Sequence, residues 1–566
     1  MARRRKKPQQ PSIQETTKHS HRVPTGLIVS ILLALVLGGI PFVMGKYIEF
    51  NSPGPFDSGA YVYSAKHLLD GAQYGVDELS SARPGTLLVN IIGVKLFGFN
   101  DTGPKVVQML LQLAALVFMF ITLRNVFGSV AAVTGTTIAA IYLSAPLIAK
   151  FGNVKEQFMI AFMIYAACAF LWYAVTSKWY WLVLTGFFAL QPHYFKPTGL
   201  SIVFALVGYI LISNVIARKW KQLAVQSGLF VAGYVAGLVV PGLFFVWQNM
   251  PTRLLSTIPV VLLQVGVVLA AVFAAIIAII HFTIKSGLLK HLRSVQKWIW
   301  LTGICLMIIT LAVSLLLIKI KDGSISEDLT YYLKSIPFIS LPRYLYNLMA
   351  SQFHKLIDAA GLEEGYVGQS LSARGLAQLA PQVFRYYKAL SVPIIGALCS
   401  IVVAAGVWIH ARAKKTPVQN IQSKVVWMLL IWWLLDMAFV WISPRSYEQY
   451  YLPLCGSGAV LTGYAVWAWQ QRLAQTQNKM PWLAGGVAVA VILGCLSIPI
   501  FIGQRYSPDR GKALDYIETY GQRRRGFGSA LDELEARQNS AWITTGKYIR
   551  DNSTADDTLY VWGWIP

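Results

Sequence analysis

The feature that most constrains this chain is a succession of apolar stretches, each close to the twenty or so residues a helix needs to cross a hydrocarbon layer. They fall near 26–46, 105–124, 127–149, 157–176, 179–195, 198–217, 226–248, 256–283, 297–318, 391–410, 424–442, 451–469 and 482–504. Inside a bilayer a backbone can satisfy its own N–H and C=O groups only as a helix or a closed barrel, and apolar runs of this length read as helices. Charged residues are only 13% of the chain, about half the share of a soluble protein. The expected fold class is therefore an all-α polytopic membrane protein with about thirteen transmembrane helices. The fifth span is the weakest, being short and interrupted by Pro192 and His193. The apolar piece Thr86–Phe99 is too short to span and reads as an interfacial or re-entrant helix.

The formal net charge of +24 could suggest nucleic acid, but the basic residues cluster between apolar stretches. That pattern fits anionic headgroups and topology control, so no nucleic-acid partner is expected. With the basic N-terminus in the cytoplasm, the loops on that side carry Arg218, Lys219 and Lys221, then Lys285, Lys290, Arg293 and Lys297, then Arg412, Lys414, Lys415 and Lys424. The short loops on the other side hold one or two cations each, such as Lys150 with Lys155. An odd span count then puts the tail outside. This divides the chain into a basic cytoplasmic N-terminus (1–25), a transmembrane domain (26–504) with long external loops at 47–104 and 319–390, and an external C-terminal segment (505–566). The 319–390 loop has helical patches such as 344–360. The tail ends in a strand-like run, 558–566, so a short α/β segment is expected there. That strand lacks a following partner, which points to a truncated chain or the start of a soluble domain. The five cysteines all lie in apolar spans and read as small core residues. The first apolar segment lacks a small-x-small cleavage site and reads as an uncleaved span. No internal repeat is evident.

Two carboxylates stand out at the external ends of spans. Asp57, in Asn51-Ser-Pro-Gly-Pro-Phe-Asp-Ser-Gly-Ala-Tyr61, is a candidate general base; as a helix N-cap it would be structural instead. From Tyr61 to Leu69 the pattern suits an amphipathic helix on the membrane. Glu156 opens the fourth span, on the same face as Asp57. The pair could share a divalent metal or divide base and metal roles, and Glu156 alone is also favourable charge at a helix start. Three cations recur at the external loops: Arg83 before Pro84-Gly85, Lys196 in Pro192-His-Tyr-Phe-Lys-Pro-Thr-Gly199, and Arg445 in Ser443-Pro-Arg-Ser446. Singly each reads as a snorkelling side chain; together they suit a phosphate clamp. Tyr61, His193, Tyr447, Glu448, Tyr450 and Tyr451 offer hydrogen bonds and ring faces suited to a sugar or headgroup, against the alternative of an interfacial aromatic belt. Asp436, inside the eleventh span, needs a partner there. No GxxxxGK[ST], HExxH or GxSxG motif occurs, so nucleotide hydrolysis and standard hydrolase chemistry have no support.

Taken together, these blocks resemble the GT-C superfamily of integral-membrane glycosyltransferases, in the branch related to protein O-mannosyltransferases and lipid A aminoarabinose transferases. The residues that carry the resemblance are Asp57-Ser-Gly-Ala-Tyr-Val-Tyr-Ser-Ala-Lys-His-Leu-Leu-Asp-Gly71, Ala82-Arg-Pro-Gly85, Asn153-Val-Lys-Glu156, Phe195-Lys-Pro-Thr-Gly199, Tyr447-Glu-Gln-Tyr-Tyr-Leu-Pro453 and Tyr560-Val-Trp-Gly-Trp564. The resemblance implies an inverting transfer of a sugar from a polyprenyl-phosphate carrier to an acceptor hydroxyl on a lipid, glycan or protein, at the outer face of a prokaryotic plasma membrane. It implies Asp57 at the acceptor as base or metal helper, Glu156 as the second-loop acid, Arg83 and Lys196 at the donor phosphate, and Tyr447 to Tyr451 along the carrier pocket. Many relatives have a second acid directly after the first; Ser58 stands there here, which puts a fixed metal requirement in doubt. The competing readings are a flippase or transporter of lipid-linked glycans, a glycan polymerase or ligase, and an assembly protein without activity.

Overall fold

The computed structural model describes residues 25–51, 56–80, 82–149, 152–254, 383, 386–387, 390–413, 421–442, 447–475, 541–554 and 557. Among them the chain is helical, and the only β feature is an isolated bridge between Tyr74 and Glu78. Ten of the thirteen expected spans fall on described helices; those near 256–283, 297–318 and 482–504 lie outside the described residues, as do the 344–360 patch and the terminal strand. Among the described residues, seven helices are long and apolar enough to cross a membrane. The chain is thus a multi-pass α-helical membrane protein.

The helices run α1 (Thr25–Asn51), α2 (Phe56–Leu69), α3 (Pro84–Phe97), α4 (Thr102–Phe127), α5 (Ser129–Ser144), α6 (Lys155–Thr176), α7 (Trp179–Phe195), α8 (Leu200–Ile216) and α9 (Trp220–Trp247). After these come α10 (Ser391–Ala413), α11 (Ile421–Phe439), α12 (Leu452–Gln475) and α13 (Ala541–Asp551). α5 is apolar all round, with every residue from Ala131 to Ser144 buried, so it is a core helix. It packs against α1, α4 and α12. On the periphery Leu32, Val36, Leu243 and Val246 stay exposed, as expected of side chains that meet lipid.

Between helices in lipid there is no hydrophobic drive, so close packing through small residues holds them together. Gly186 and Gly233 let α7 and α9 touch: a methyl at Gly233 would lie 1.9 Å from the Val183 carbonyl oxygen. The fifth span departs from the sequence expectation. Pro192 and His193 do not interrupt it, and α7 continues through both to Phe195. Pro192 sits in the last turn, and its carbonyl still accepts from the Lys196 N–H at 3.0 Å.

Tight turns at Ser177 and Arg218, both at positive φ, make α6, α7, α8 and α9 run alternately up and down. The start of α6, the end of α7 and the start of α8 therefore share one end of the bundle. α2 and α3 cap this end. Tyr61, Val62, Leu68, Leu87 and Ile91 form a separate apolar cluster with Phe244 and Phe245 at the end of α9. Between α2 and α3 the loop is fastened: the Tyr74 N–H donates to Gln248 Oε1 at 2.9 Å, and Arg253 Nη1 donates to the Tyr74 carbonyl at 3.1 Å. α3 is less interfacial than its length suggests, because eight of its fourteen residues are buried against protein.

Candidate functional site

At the capped end a cavity of about 240 Å³ opens between α2, the α3 N-terminus, the start of α6, the end of α7 with the loop that follows it, and the segment before α12. Asp57, Tyr61, Arg83, Glu156, Lys196 and Tyr450 all line it, so six of the side chains singled out from sequence converge although they span some 400 residues. Asp57 is exposed to the cavity. It is not an N-cap: α2 begins at Phe56, and Asp57 sits inside its first turn, where a carboxylate meets the positive end of the helix dipole. Glu156 likewise lies in the first turn of α6 but is buried.

Lys196 Nζ lies 2.6 Å from Glu156 Oε1 and 3.0 Å from the centre of the Tyr450 ring. Burial pushes the Lys196 ammonium below its ordinary range, and Glu156 opposes that shift. Arg83 Nη1 donates to the His193 carbonyl at 3.1 Å and lies 3.2 Å from His193 Nε2; burial lowers its pKa, but a guanidinium remains charged. The Tyr61 phenol is pushed up by burial and by the nearby negative charges of Asp57 and Glu156, so it stays a proton donor.

The remaining candidates lie elsewhere. His193 is buried behind Arg83 and outside the cavity lining. Tyr451 is fully buried, its ring 4.7 Å from that of Tyr386. Tyr447 stands edge-on to Tyr450 at 5.5 Å, and Glu448 is buried. These three do not line the cavity as expected: the 448–451 stretch is a tight helical turn that buries Glu448 and Tyr451 and leaves Gln449 and Tyr450 on the cavity wall. Arg445 lies outside the described residues.

Gln449, within the expected 447–451 run, lines the cavity; sequence reasoning missed Lys155, Phe195 and Pro197, which also line it. Lys155 Nζ lies 5.0 Å from the Tyr61 ring centre. Its signal was its place beside Glu156 at the start of a span, where it reads equally as a topology charge. The support behind the cavity was also missed. Asn153, at φ 50 after Gly152 at φ 80, makes the turn into α6. Its Nδ2 donates to Ser58 Oγ at 2.8 Å and to Asn90 Oδ1 at 2.9 Å, and its N–H donates to Gln108 Oε1 at 2.6 Å. Ser58, the residue after Asp57, is therefore turned away from the cavity and spent on tying α2 to the α6 turn. Below it, Lys46 Nζ donates to Glu49 Oε2 at 2.7 Å, and Gln108 and Gln157 both bond Glu49. Asp436 has found its intramembrane partners in the Ser201 and Ser457 hydroxyls, at 2.5 and 2.8 Å.

The donor set suits a divalent cation poorly. Two carboxylates face the cavity, one is ion-paired to Lys196, and Arg83, Lys155 and Lys196 line the same space. No group of three His, Cys, Asp or Glu side chains with metal-binding spacing occurs among the described residues.

Residues 84–247 match the family model for dolichyl-phosphate-mannose-protein mannosyltransferase, a segment that contains Glu156, His193 and Lys196. No curated protein matches the chain. Among solved structures, it is similar to the archaeal oligosaccharyltransferase AglB from Archaeoglobus fulgidus, in complex with an inhibitory peptide and a dolichol-phosphate, at 14% identity and a TM-score of 0.46. That alignment covers 92% of this chain and 58% of AglB, so the chain spans little more than half the length of that protein. ArnT from Cupriavidus metallidurans bound to undecaprenyl phosphate aligns at 16% identity and a TM-score of 0.39, over 84% of this chain and 71% of ArnT. Scores below 0.5 do not establish a shared fold. The family match over residues 84–247 bears out the resemblance to the GT-C superfamily of membrane glycosyltransferases.

Proposed function

We propose that this protein is an inverting glycosyltransferase that moves a sugar from a polyprenyl-phosphate carrier to an acceptor hydroxyl. The observation that carries the reading is the division of charge in one cavity: an exposed carboxylate, Asp57, with Arg83, Lys155 and Lys196 around it. Further support comes from the match of residues 84–247 to a family named for dolichyl-phosphate-mannose chemistry.

In this mechanism Asp57 accepts the proton of the acceptor hydroxyl as its oxygen attacks the anomeric carbon. A new carbon–oxygen bond forms while the bond from that carbon to the phosphate oxygen breaks, and the leaving phosphate keeps the electron pair. Arg83, Lys155 and Lys196 meet the charge that develops on it, which is the electrostatic part of catalysis. In-line attack inverts the anomeric centre. Glu156 holds Lys196 in place, and Tyr450 closes the wall beside it. No step is routed through a metal, and no nucleotide is required, because the carrier already holds the activated bond. The positive-inside bias of the loops supports a cavity on the outer face.

The test is incubation of the purified full chain in liposomes with a panel of radiolabelled polyprenyl-phosphate sugars and lipid, glycan and peptide acceptors. Sugar appearing on an acceptor with inverted anomeric configuration supports the reading. Movement of intact donor across the bilayer without transfer would replace it with the flippase reading.

A further inference from the structure

A second concavity, unrelated to the cavity described above, lies at the opposite end of the bundle. It is a wide groove of about 610 Å³ at the α8–α9 turn, lined by Arg218, Lys219, Trp220, Lys221 and Gln226, with Tyr173 near the end of α6. α6 carries Glu156 in its first turn and Tyr173 in its last. At ~1.5 Å per residue those positions are roughly 26 Å apart, close to the ~30 Å of a hydrocarbon core. The groove therefore sits at the other membrane face.

Three properties distinguish it from ordinary loop charge. First, the chain contains no Asp or Glu from residue 157 to residue 321. No ion pair involves Arg218, Lys219 or Lys221 among the described residues. Second, its floor is built. Asn214, which is buried, donates through Nδ2 to Gln226 Oε1 at 2.6 Å, and Gln226 Nε2 donates to Tyr173 Oη at 2.8 Å. This chain of side chains ties α8, α9 and α6 together beneath the turn, which holds Arg218 at φ 56. Third, Trp220 is 62% exposed at the first position of α9, an amphipathic ring at headgroup depth. The start of α9, where no side chain caps the helix, adds the positive end of a helix dipole.

We propose that this groove is a binding site for one anionic phospholipid headgroup in the leaflet opposite the candidate catalytic cavity. The phosphate lies against Arg218, Lys219 and Lys221, while Trp220 and Val225 meet the first carbons of the acyl chains. The site is independent of the glycosyltransferase reading and stands whether or not the protein transfers sugar.

The test is native mass spectrometry of the purified full chain titrated with phosphatidylglycerol or zwitterionic phosphatidylcholine. Wild type is compared with R218Q/K219Q/K221Q and with the charge-conserving R218K/K219R/K221R. Each basic residue near an anionic headgroup contributes enough for a several-fold gain in affinity, so the Gln variant is expected to bind phosphatidylglycerol about 100-fold more weakly. The charge-conserving variant keeps tight binding, which separates lost charge from lost fold. Equal phosphatidylglycerol retention by wild type and the Gln variant overturns the proposal. So does displacement of the lipid by millimolar inorganic phosphate, which would make the groove a site for free phosphate.

Discussion

Lys196 and Glu156 meet at 2.6 Å across the cavity, from the loop after α7 and the first turn of α6. Their side chains are 17% and 5% exposed, so each charge depends on the other for the solvation it has lost. Removing one partner of such a pair leaves a buried, uncompensated charge and costs about 3–5 kcal/mol. The expected pattern is that Glu156→Gln and Lys196→Met each lower the thermal midpoint of the purified chain, and that the double variant recovers part of the loss. A double-mutant cycle with purely additive effects would show that the pair is not coupled.

Asn153 joins three elements through one buried amide: α2 at Ser58, α3 at Asn90, and α4 at Gln108 through its own N–H. Asn153→Ala removes the side-chain bonds and leaves buried partners behind, at about 1–3 kcal/mol. Because Asn153 sits three residues before Glu156 and holds the residue after Asp57, transfer is expected to lose kcat by at least tenfold with little change in donor KM. A variant that loses stability but keeps kcat would make Asn153 a structural residue only.

Tyr61 gives a pH signature. Burial and the neighbouring carboxylates raise its folded pKa above the ordinary value near 10. The unfolded chain releases that proton first, so the contribution to stability is complete below about pH 10 and is lost as the pH rises above it. Tyr61→Phe cannot ionise in either state. Wild type is expected to lose stability faster than Y61F above about pH 10, and the native absorbance titrations of the two should overlay up to about pH 11. An extra tyrosine titrating in native wild type near pH 10 would contradict this.

The cavity's three cations and single unpaired-to-lysine carboxylate predict that transfer survives chelation. Prolonged EDTA treatment followed by assay in metal-free buffer should leave the rate within about twofold. A rate that collapses and returns on addition of Mg²⁺ or Mn²⁺ would require a metal role for Asp57 and Glu156.

The helical, membrane-spanning character was legible because span length and low charge are set by the bilayer itself. Site residues were legible where a charged side chain sat at an apolar border, as with Asp57, Arg83, Glu156 and Lys196. What the sequence hid depends on helix phase. In the 447–451 run every residue is polar or aromatic, and only the turn geometry sends Tyr450 to the cavity and Tyr451 to the core. Asn153 and Ser58 were invisible as a pair because their contact joins α2 to the turn before α6, 95 residues along the chain. Lys155 was read as a topology charge because position alone does not separate a headgroup contact from a cavity wall.

In the proposed mechanism Asp57 accepts the proton of the attacking hydroxyl. Sugar transfer by wild type and Asp57→Asn, matched for folding by thermal midpoint, tests it most directly, since Asn keeps the size and an acceptor oxygen but lacks the basicity. The variant's rate is expected to fall by about 10²–10⁴-fold with donor binding retained. A variant that transfers sugar at the wild-type rate would contradict it.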